Sequence, residues 1–147
     1  MEPSTEMRPV FASTVLKTHP EDYLVVSVDR AEEENARTAF KDLEPWGSVT
    51  YDHMEVSVVL SESEWRRLRD RFTAYEVEGP YTLITFDIVL DLSLVGFLSV
   101  VSSVLADEGV SIYALSTYLR DHILVRKADA GRAVAALERL IDRCRDY

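Results

Sequence analysis

The chain has 147 residues, 47% hydrophobic and 29% charged, which suits one domain or two very small ones with a buried core. Its formal net charge of -10 argues against nucleic acid and anionic membranes as partners, because both attract basic surfaces. The single cysteine, Cys144, excludes an intrachain disulfide, and residues 1–10 lack the apolar core of a signal peptide. We therefore expect a cytoplasmic protein without a membrane span.

The first half of the chain begins with a polar stretch that contains two prolines, and we predict that residues 1–8 are disordered. Short strands are predicted over Val10–Lys17 and over Tyr23–Asp29, where β-branched and aromatic residues cluster. The stretch RAEEENARTAFKDLEPW then predicts a helix that Pro45 ends, because small and apolar residues recur at helical spacing and acids stand at its start.

The stretch SVTYDHMEVSVVL then predicts two strands joined by a turn. A helix follows, because Ser61 and Glu64 have the spacing of a capping box and three large apolar residues fall on one face: Trp65, Leu68 and Phe72. Residues 73–79 alternate like a strand, and the Gly79-Pro80 pair predicts its end.

The second half repeats the pattern without its last strand. A strand is predicted over Tyr81–Asp87 and a helix over Leu94–Gly109, with Gly109 as the C-cap. The stretches VSIYALS and DHILVRK predict two more strands, and ADAGRAVAALERLIDRC predicts a final helix. The early strand Val10–Lys17 would supply the strand that is missing here.

This order of elements is the split β-α-β pattern of ferredoxin-like sheets, written twice. We predict an α+β fold of two ferredoxin-like units, residues 9–79 and 80–147. Each unit would be an antiparallel sheet with helices on one face.

Residues 54–127 resemble small tandem ACT-domain proteins. They are similar to the regulatory ACT domains of aspartate kinase and to the cytosolic arginine sensor of the animal TOR pathway. The resemblance rests on EVSVVLSESEW with YEVEGPYTLITFD, on LVGFLSVVSSVLADEGVSIYALST, and most specifically on STYLRDHILV, from Ser116 to Val125. It implies a regulatory protein that has no catalytic activity or cofactor and that binds a small ligand, usually an amino acid.

The resemblance also implies where the ligand would lie. One side of the site would be the loop after a strand and the start of the following helix. The other side would be the end of the next strand and its polar turn. The residues that match these positions are Ser93, Leu94, Val95, Gly96, Phe97, Ser116, Thr117 and Asp121.

The chemistry of these residues suits an amino acid. A helix that starts near Leu94 exposes unpaired amides that bind a carboxylate, and Gly96 lets a ligand approach the backbone. Asp121 would accept hydrogen bonds from an ammonium or guanidinium group. Arg120 leaves two alternatives open, since it could pair with Asp121 or select an acidic ligand. Equally, Ser116, Thr117 and Asp121 could serve only to close the turn.

Other kinds of site find little support. His19, His53 and His122 are scattered without metal-ligand spacing, and no convergent nucleophile or acid–base set predicts an enzyme. Cys144 lies on the apolar face of the last helix and is expected to be buried. Because exposed sheet edges tend to pair, we expect a homodimer. The alternative function is an interaction module without a ligand.

Overall fold

The structure is a computed structural model that describes residues 1–146. Within this range the strands are β1 (Val15–Asp29), β2 (Ser48–Tyr51), β3 (Glu55–Ser61), β4 (Tyr75–Asp87), β5 (Ile112–Ser116) and β6 (Asp121–Arg126). The α-helices are α1 (Arg8–Ala12), α2 (Glu33–Ala39), α3 (Glu62–Leu68), α4 (Phe97–Asp107) and α5 (Ala130–Arg145). Short 3-10 turns occupy Arg30–Glu32, Arg69–Arg71 and Lys127–Asp129.

The strands form one sheet in the order β2-β3-β1-β4-β6-β5. The β1–β3, β2–β3 and β5–β6 pairs are antiparallel, with Val26 opposite Val58 and Ser116 opposite Asp121. The α+β prediction is therefore confirmed, with all six strands in a single sheet, and the division into two ferredoxin-like units stays a prediction. The chain nevertheless divides into two compact units: unit 1, residues 1–20 with residue 82 onward, and unit 2, residues 21–81.

Unit 2 has its own apolar core. Valines at alternate positions of β1 and β3 are fully buried, as a sheet with one covered face requires, and they cluster with side chains of α2 and α3. Ser61 caps α3 as predicted, because its Oγ accepts from the Glu64 amide at 3.2 Å. The Glu64 carboxylate does not complete a capping box with Ser61. It accepts instead from Arg67 and from the Glu44 amide.

The core of unit 1 is built from alternate residues of β4 and β6 and from one face each of α4 and α5. Ile84 and Phe86 of β4 cluster with Ile123 and Val125 of β6. The other apolar members include Phe97, Val101 and Leu105 of α4 and Ala133, Leu137, Leu140 and Cys144 of α5. The spacing of these residues, three or four apart, is that of one face of a helix.

The start of the chain differs from the prediction. Residues Arg8–Ala12 form α1 with Pro9 in its first turn, so the predicted strand Val10–Lys17 is wrong over this part and begins only at Val15. Phe11 stacks on Phe97 with ring centroids 4.6 Å apart. Met7, within the predicted disordered residues 1–8, is 2% exposed. Burial against α4 outweighs the local β-propensity of the segment.

The break predicted at Gly79-Pro80 is also wrong, since β4 runs without interruption from Tyr75 to Asp87. A Cβ at residue 79 would lie 2.7 Å from Leu24 Cδ2 and 3.0 Å from the Tyr23 carbonyl oxygen. A residue without a side chain is therefore required by the close approach of β1. Glycine here serves strand packing rather than a turn.

Candidate functional site

A cavity of about 270 Å³ lies in unit 1. One wall is the loop after β4 with the start of α4, and the other wall is the turn between β5 and β6. Of the eight residues predicted to form a site, six line this cavity: Leu94, Gly96, Phe97, Ser116, Thr117 and Asp121. The structure thus brings together two segments that are about twenty residues apart in the sequence.

The other two predicted residues, Ser93 and Val95, lie outside the lining of this cavity. Ser93 donates from its amide and its hydroxyl to Asp91 Oδ1, at 2.8 and 2.6 Å. These two bonds hold the pKa of Asp91 below its usual range, the hydroxyl contributing most. Val95 is 87% exposed. Ser93 therefore shapes the loop, and Val95 belongs to its outer surface.

The helix end at the cavity is three residues later than predicted. α4 begins at Phe97, and Gly96 is its N-cap with a φ of 100°. The bond from the Val100 amide to the Gly96 carbonyl, 3.2 Å long, leaves the preceding amides of Phe97, Leu98 and Ser99 for other acceptors. All three residues line the cavity. This wall therefore offers hydrogen-bond donors at the positive end of a helix dipole.

The opposite wall consists of hydroxyl and carboxylate oxygens. Ser116 Oγ donates to Asp121 Oδ1 at 2.6 Å, across a directly opposed pair of β5 and β6. Thr117 donates to the Arg120 carbonyl from both its amide, at 2.9 Å, and its hydroxyl, at 3.0 Å. These residues close the turn and also line the cavity, so the turn-closing interpretation does not exclude the ligand interpretation.

Arg120 lines the cavity but pairs with Asp87 rather than with Asp121. Its Nε donates to Asp87 Oδ1 at 2.9 Å, and Lys17 Nζ lies 3.2 Å from Asp87 Oδ2. The bonds from Arg120 and then Lys17 hold the pKa of Asp87 below its usual range. Because Arg120 directs its Nε to Asp87, the carboxylate of Asp121 is left to Ser116 and to the cavity.

Three residues beside the cavity were not predicted as a group. His19 Nε2 lies 2.8 Å from Thr85 Oγ1, which lies 2.9 Å from His122 Nδ1. His122 Nε2 lies 3.1 Å from Oγ1 of Thr117, a residue that lines the cavity. Burial, and then the neighbouring His19, lower the pKa of His122. The two histidines are 103 residues apart in the sequence, and only the pairing of strands brings them together.

Two other predictions can be compared with the structure. Cys144 is 4% exposed, as predicted, and burial raises the pKa of its thiol, which makes a reactive thiolate rare. Among residues 1–146, no three side chains of His, Cys, Asp or Glu come together in a way that would hold a metal ion. None of the helices in the same range is long and apolar enough to cross a membrane.

The family comparison matches the part of the chain that contains this cavity. Residues 76–139 match the ACT domain family. This confirms the resemblance read from the sequence over β4 to α5, including both walls of the cavity. A comparison with curated protein sequences finds no match.

Several solved structures share the fold of this chain, both over residues 76–139 and outside them. A protein of unknown function from Vibrio cholerae, termed a possible transport protein, is 24% identical with a TM-score of 0.68, over 89% of this chain and 92% of that one. The ligand-free regulatory subunit of aspartate kinase from Thermus thermophilus is 8% identical with a TM-score of 0.63, over 86% and 97%.

A third similar structure is aspartokinase III of E. coli in complex with aspartate and ADP. It is 19% identical with a TM-score of 0.61, over 86% of this chain and 33% of that one. The TM-scores establish a shared fold, that of aspartate kinase regulatory ACT domains, and at these low identities they establish the fold alone. Binding by this chain has to be argued from its own residues.

Proposed function

We propose that unit 1 binds a small neutral α-amino acid in the cavity between α4 and the β5–β6 turn. The single observation that carries the proposal is the opposition of the two walls, donors from the start of α4 and acceptors from Ser116, Thr117 and Asp121. An α-carboxylate needs donors, and an α-ammonium group needs acceptors. The cavity volume of about 270 Å³ is near the lower end of small-molecule sites, which suits an amino acid better than a nucleotide.

The remaining lining supports an apolar side chain on the ligand. Apart from Asp121, the charged residues of the lining already have partners, since Asp91 accepts from Ser93 and Arg120 donates to Asp87. The rest of the lining is largely apolar: Leu90, Leu92, Leu94, Phe97, Leu98 and Tyr118. A charged ligand side chain would have to compete with these internal pairs, whereas an apolar one gains from burial.

The protein is then a regulatory sensor without catalytic activity of its own, as the ACT fold supports. We further propose a cytoplasmic location, two ferredoxin-like units and a homodimer. The support for the dimer is that β5 is the last strand of the sheet, where unpaired backbone groups invite a partner strand. The site would pass on its occupancy through that contact.

A second candidate function is a protein-interaction module without a ligand. Large apolar side chains are exposed on the loop after β4 and on the β5–β6 turn: Val89 61%, Leu92 70%, Val95 87%, Tyr118 77% and Leu119 45%. Exposed apolar groups that cluster on neighbouring loops commonly mark an interaction site. The two candidates differ in what they require of Asp121.

A thermal-shift screen with the twenty amino acids, each at millimolar concentration, tests the first candidate. A ligand at about 100 times its Kd adds roughly 2.7 kcal/mol to the free energy of unfolding. We expect neutral amino acids with apolar side chains to give the largest shifts. Asp121→Asn should remove them, and Asp107→Asn, which removes the same charge from the exposed end of α4, should not. A flat screen with a folded protein would instead support the interaction module.

A further inference from the structure

Four side chains of unit 1 form one continuous chain of hydrogen bonds that ends in the cavity. It runs from His19 on β1 to Thr85 on β4, His122 on β6 and Thr117 in the turn, with contacts of 2.8, 2.9 and 3.1 Å. The Thr117 hydroxyl continues to the Arg120 carbonyl at 3.0 Å. We call these four residues the histidine relay.

With a neutral His122, all four contacts can be hydrogen bonds at once in only one arrangement of the hydrogens. A carbonyl oxygen only accepts, so the one hydroxyl hydrogen of Thr117 lies toward Arg120. His122 Nε2 must then donate to Thr117. In a neutral imidazole the other nitrogen, Nδ1, is an acceptor, so Thr85 donates to it. The Thr85 oxygen in turn accepts from His19 Nε2.

The surroundings of His122 favour its neutral form. The residue is 5% exposed and Thr85 is 7% exposed. The charged and titratable groups that act on it are His19 of β1, and Arg120 and Asp121 of its own turn and strand. Burial and the neighbouring His19 act against a second ring proton, and the opposing effect of Asp121 is smaller.

We propose that His122 is a positioning residue of the site. By donating to the Thr117 oxygen, it directs the Thr117 hydroxyl hydrogen to the Arg120 carbonyl, so that the hydroxyl can offer the cavity only an acceptor. The Ser116 hydroxyl hydrogen is also used within the protein, because it is donated to Asp121 Oδ1. Ser116, Thr117 and the Asp121 carboxylate then present acceptors alone. Such a wall selects a ligand with N–H donors. This inference rests on the proposed amino-acid site and explains how it would recognise the ammonium group.

The relay also makes recognition depend on pH. A proton added to Nδ1 of His122 would take away the acceptor to which the Thr85 hydroxyl donates. It would also place a positive charge one hydroxyl away from the ammonium group of the ligand. The affinity for an amine should therefore fall when His122 is protonated, while the affinity for the same molecule without its amine should change little.

The tautomer of His122 can be read from its ring nitrogen shifts by NMR in the full chain without ligand. We expect the Nε2–H form at neutral pH. Thr85 does not line the cavity, and Thr85→Val removes the hydroxyl that donates to Nδ1. A part of the His122 rings should then change to the Nδ1–H form. Thr82→Val is the matched control, since it makes the same change at a residue of β4 that is 9% exposed. An Nδ1–H form in the parent, or equal effects of the two variants, would overturn the proposal.

The binding arm uses L-leucine and 4-methylpentanoate, which differ only in the amine. Thr85→Val should lower the affinity for leucine by about fivefold, the typical contribution of one hydrogen bond, and leave the affinity for 4-methylpentanoate unchanged. In the parent protein, a drop in pH that protonates His122 should likewise lower the affinity for leucine and leave that for 4-methylpentanoate unchanged. Equal losses for both compounds would overturn the positioning role. An Nε2–H His122 in a protein that binds neither compound would overturn the proposed function and leave the relay assignment standing.

Discussion

Replacing Gly96 by alanine tests the backbone geometry that places the start of α4 at the cavity. Gly96 has a φ of 100°, where a side chain is disfavoured. The added Cβ would meet only Met7 Cε, at an ordinary contact distance of 3.8 Å. Steric overlap therefore contributes little, and the cost is that of the left-handed backbone. We expect Gly96→Ala to lower the free energy of unfolding by about 1–2 kcal/mol.

The matched control is Gly131→Ala in α5. Gly131 has a negative φ, and an added Cβ finds no atom within 4 Å. Alanine should there raise the free energy of unfolding by up to about 1 kcal/mol, because it restricts the unfolded chain. A second variant, Gly96→Asn, should cost less than Gly96→Ala, because asparagine tolerates the left-handed region.

Urea denaturation followed by circular dichroism measures all three variants, and an unchanged m-value shows that the compared states are the same. The reasoning is refuted if Gly96→Ala stays within about 0.5 kcal/mol of the parent, the range of an ordinary surface substitution. That result would mean that the loop before α4 does not hold residue 96 at a positive φ.

Three further predictions concern burial and charge. Phe11→Ala should lower the free energy of unfolding by about 3–5 kcal/mol in urea denaturation, since α1 belongs to the core of unit 1, and a loss below about 1 kcal/mol would contradict this packing. Glu64→Gln should lower the free energy of unfolding by about 1–3 kcal/mol, because the buried carboxylate accepts from Arg67 and from a backbone amide. The control Glu62→Gln alters one exposed ion pair and should lower it by less than about 1 kcal/mol in the same urea denaturation. The lowered pKa of His122 means that the unfolded chain binds a proton there more readily than the folded chain does. The contribution of His122 to stability is therefore complete above about pH 6.5 and is lost as the pH drops toward the folded pKa. His122→Gln should flatten that part of a plot of Tm against pH, and an unchanged slope would contradict this prediction.

The parts of the fold that the sequence predicted are those with a strong local signal. The apolar face of α5, the Ser61 cap and the β5–β6 pair each depend on residues close together in the chain. The same holds for the candidate site, where SLVGF and STYLRD are compact motifs. Six of the eight residues predicted there line one cavity.

The features that the sequence did not predict depend on contacts between distant segments. Phe11 is helical because it packs on Phe97, and Gly79 continues β4 because Leu24 passes close to it. His19 and His122 meet through Thr85, at a register that neither local stretch specifies. Arg120 could not be paired with Asp87 from spacing alone, since 33 residues separate them.

The most direct test of the proposed site is a titration of the ¹⁵N-labelled protein with L-leucine, followed by amide chemical shifts. We predict saturable shifts at the Phe97, Leu98 and Ser99 amides and at Thr117, with little change at Val58 in the core of unit 2. Saturable shifts confined to other parts of the chain, or none at millimolar leucine, would contradict the account.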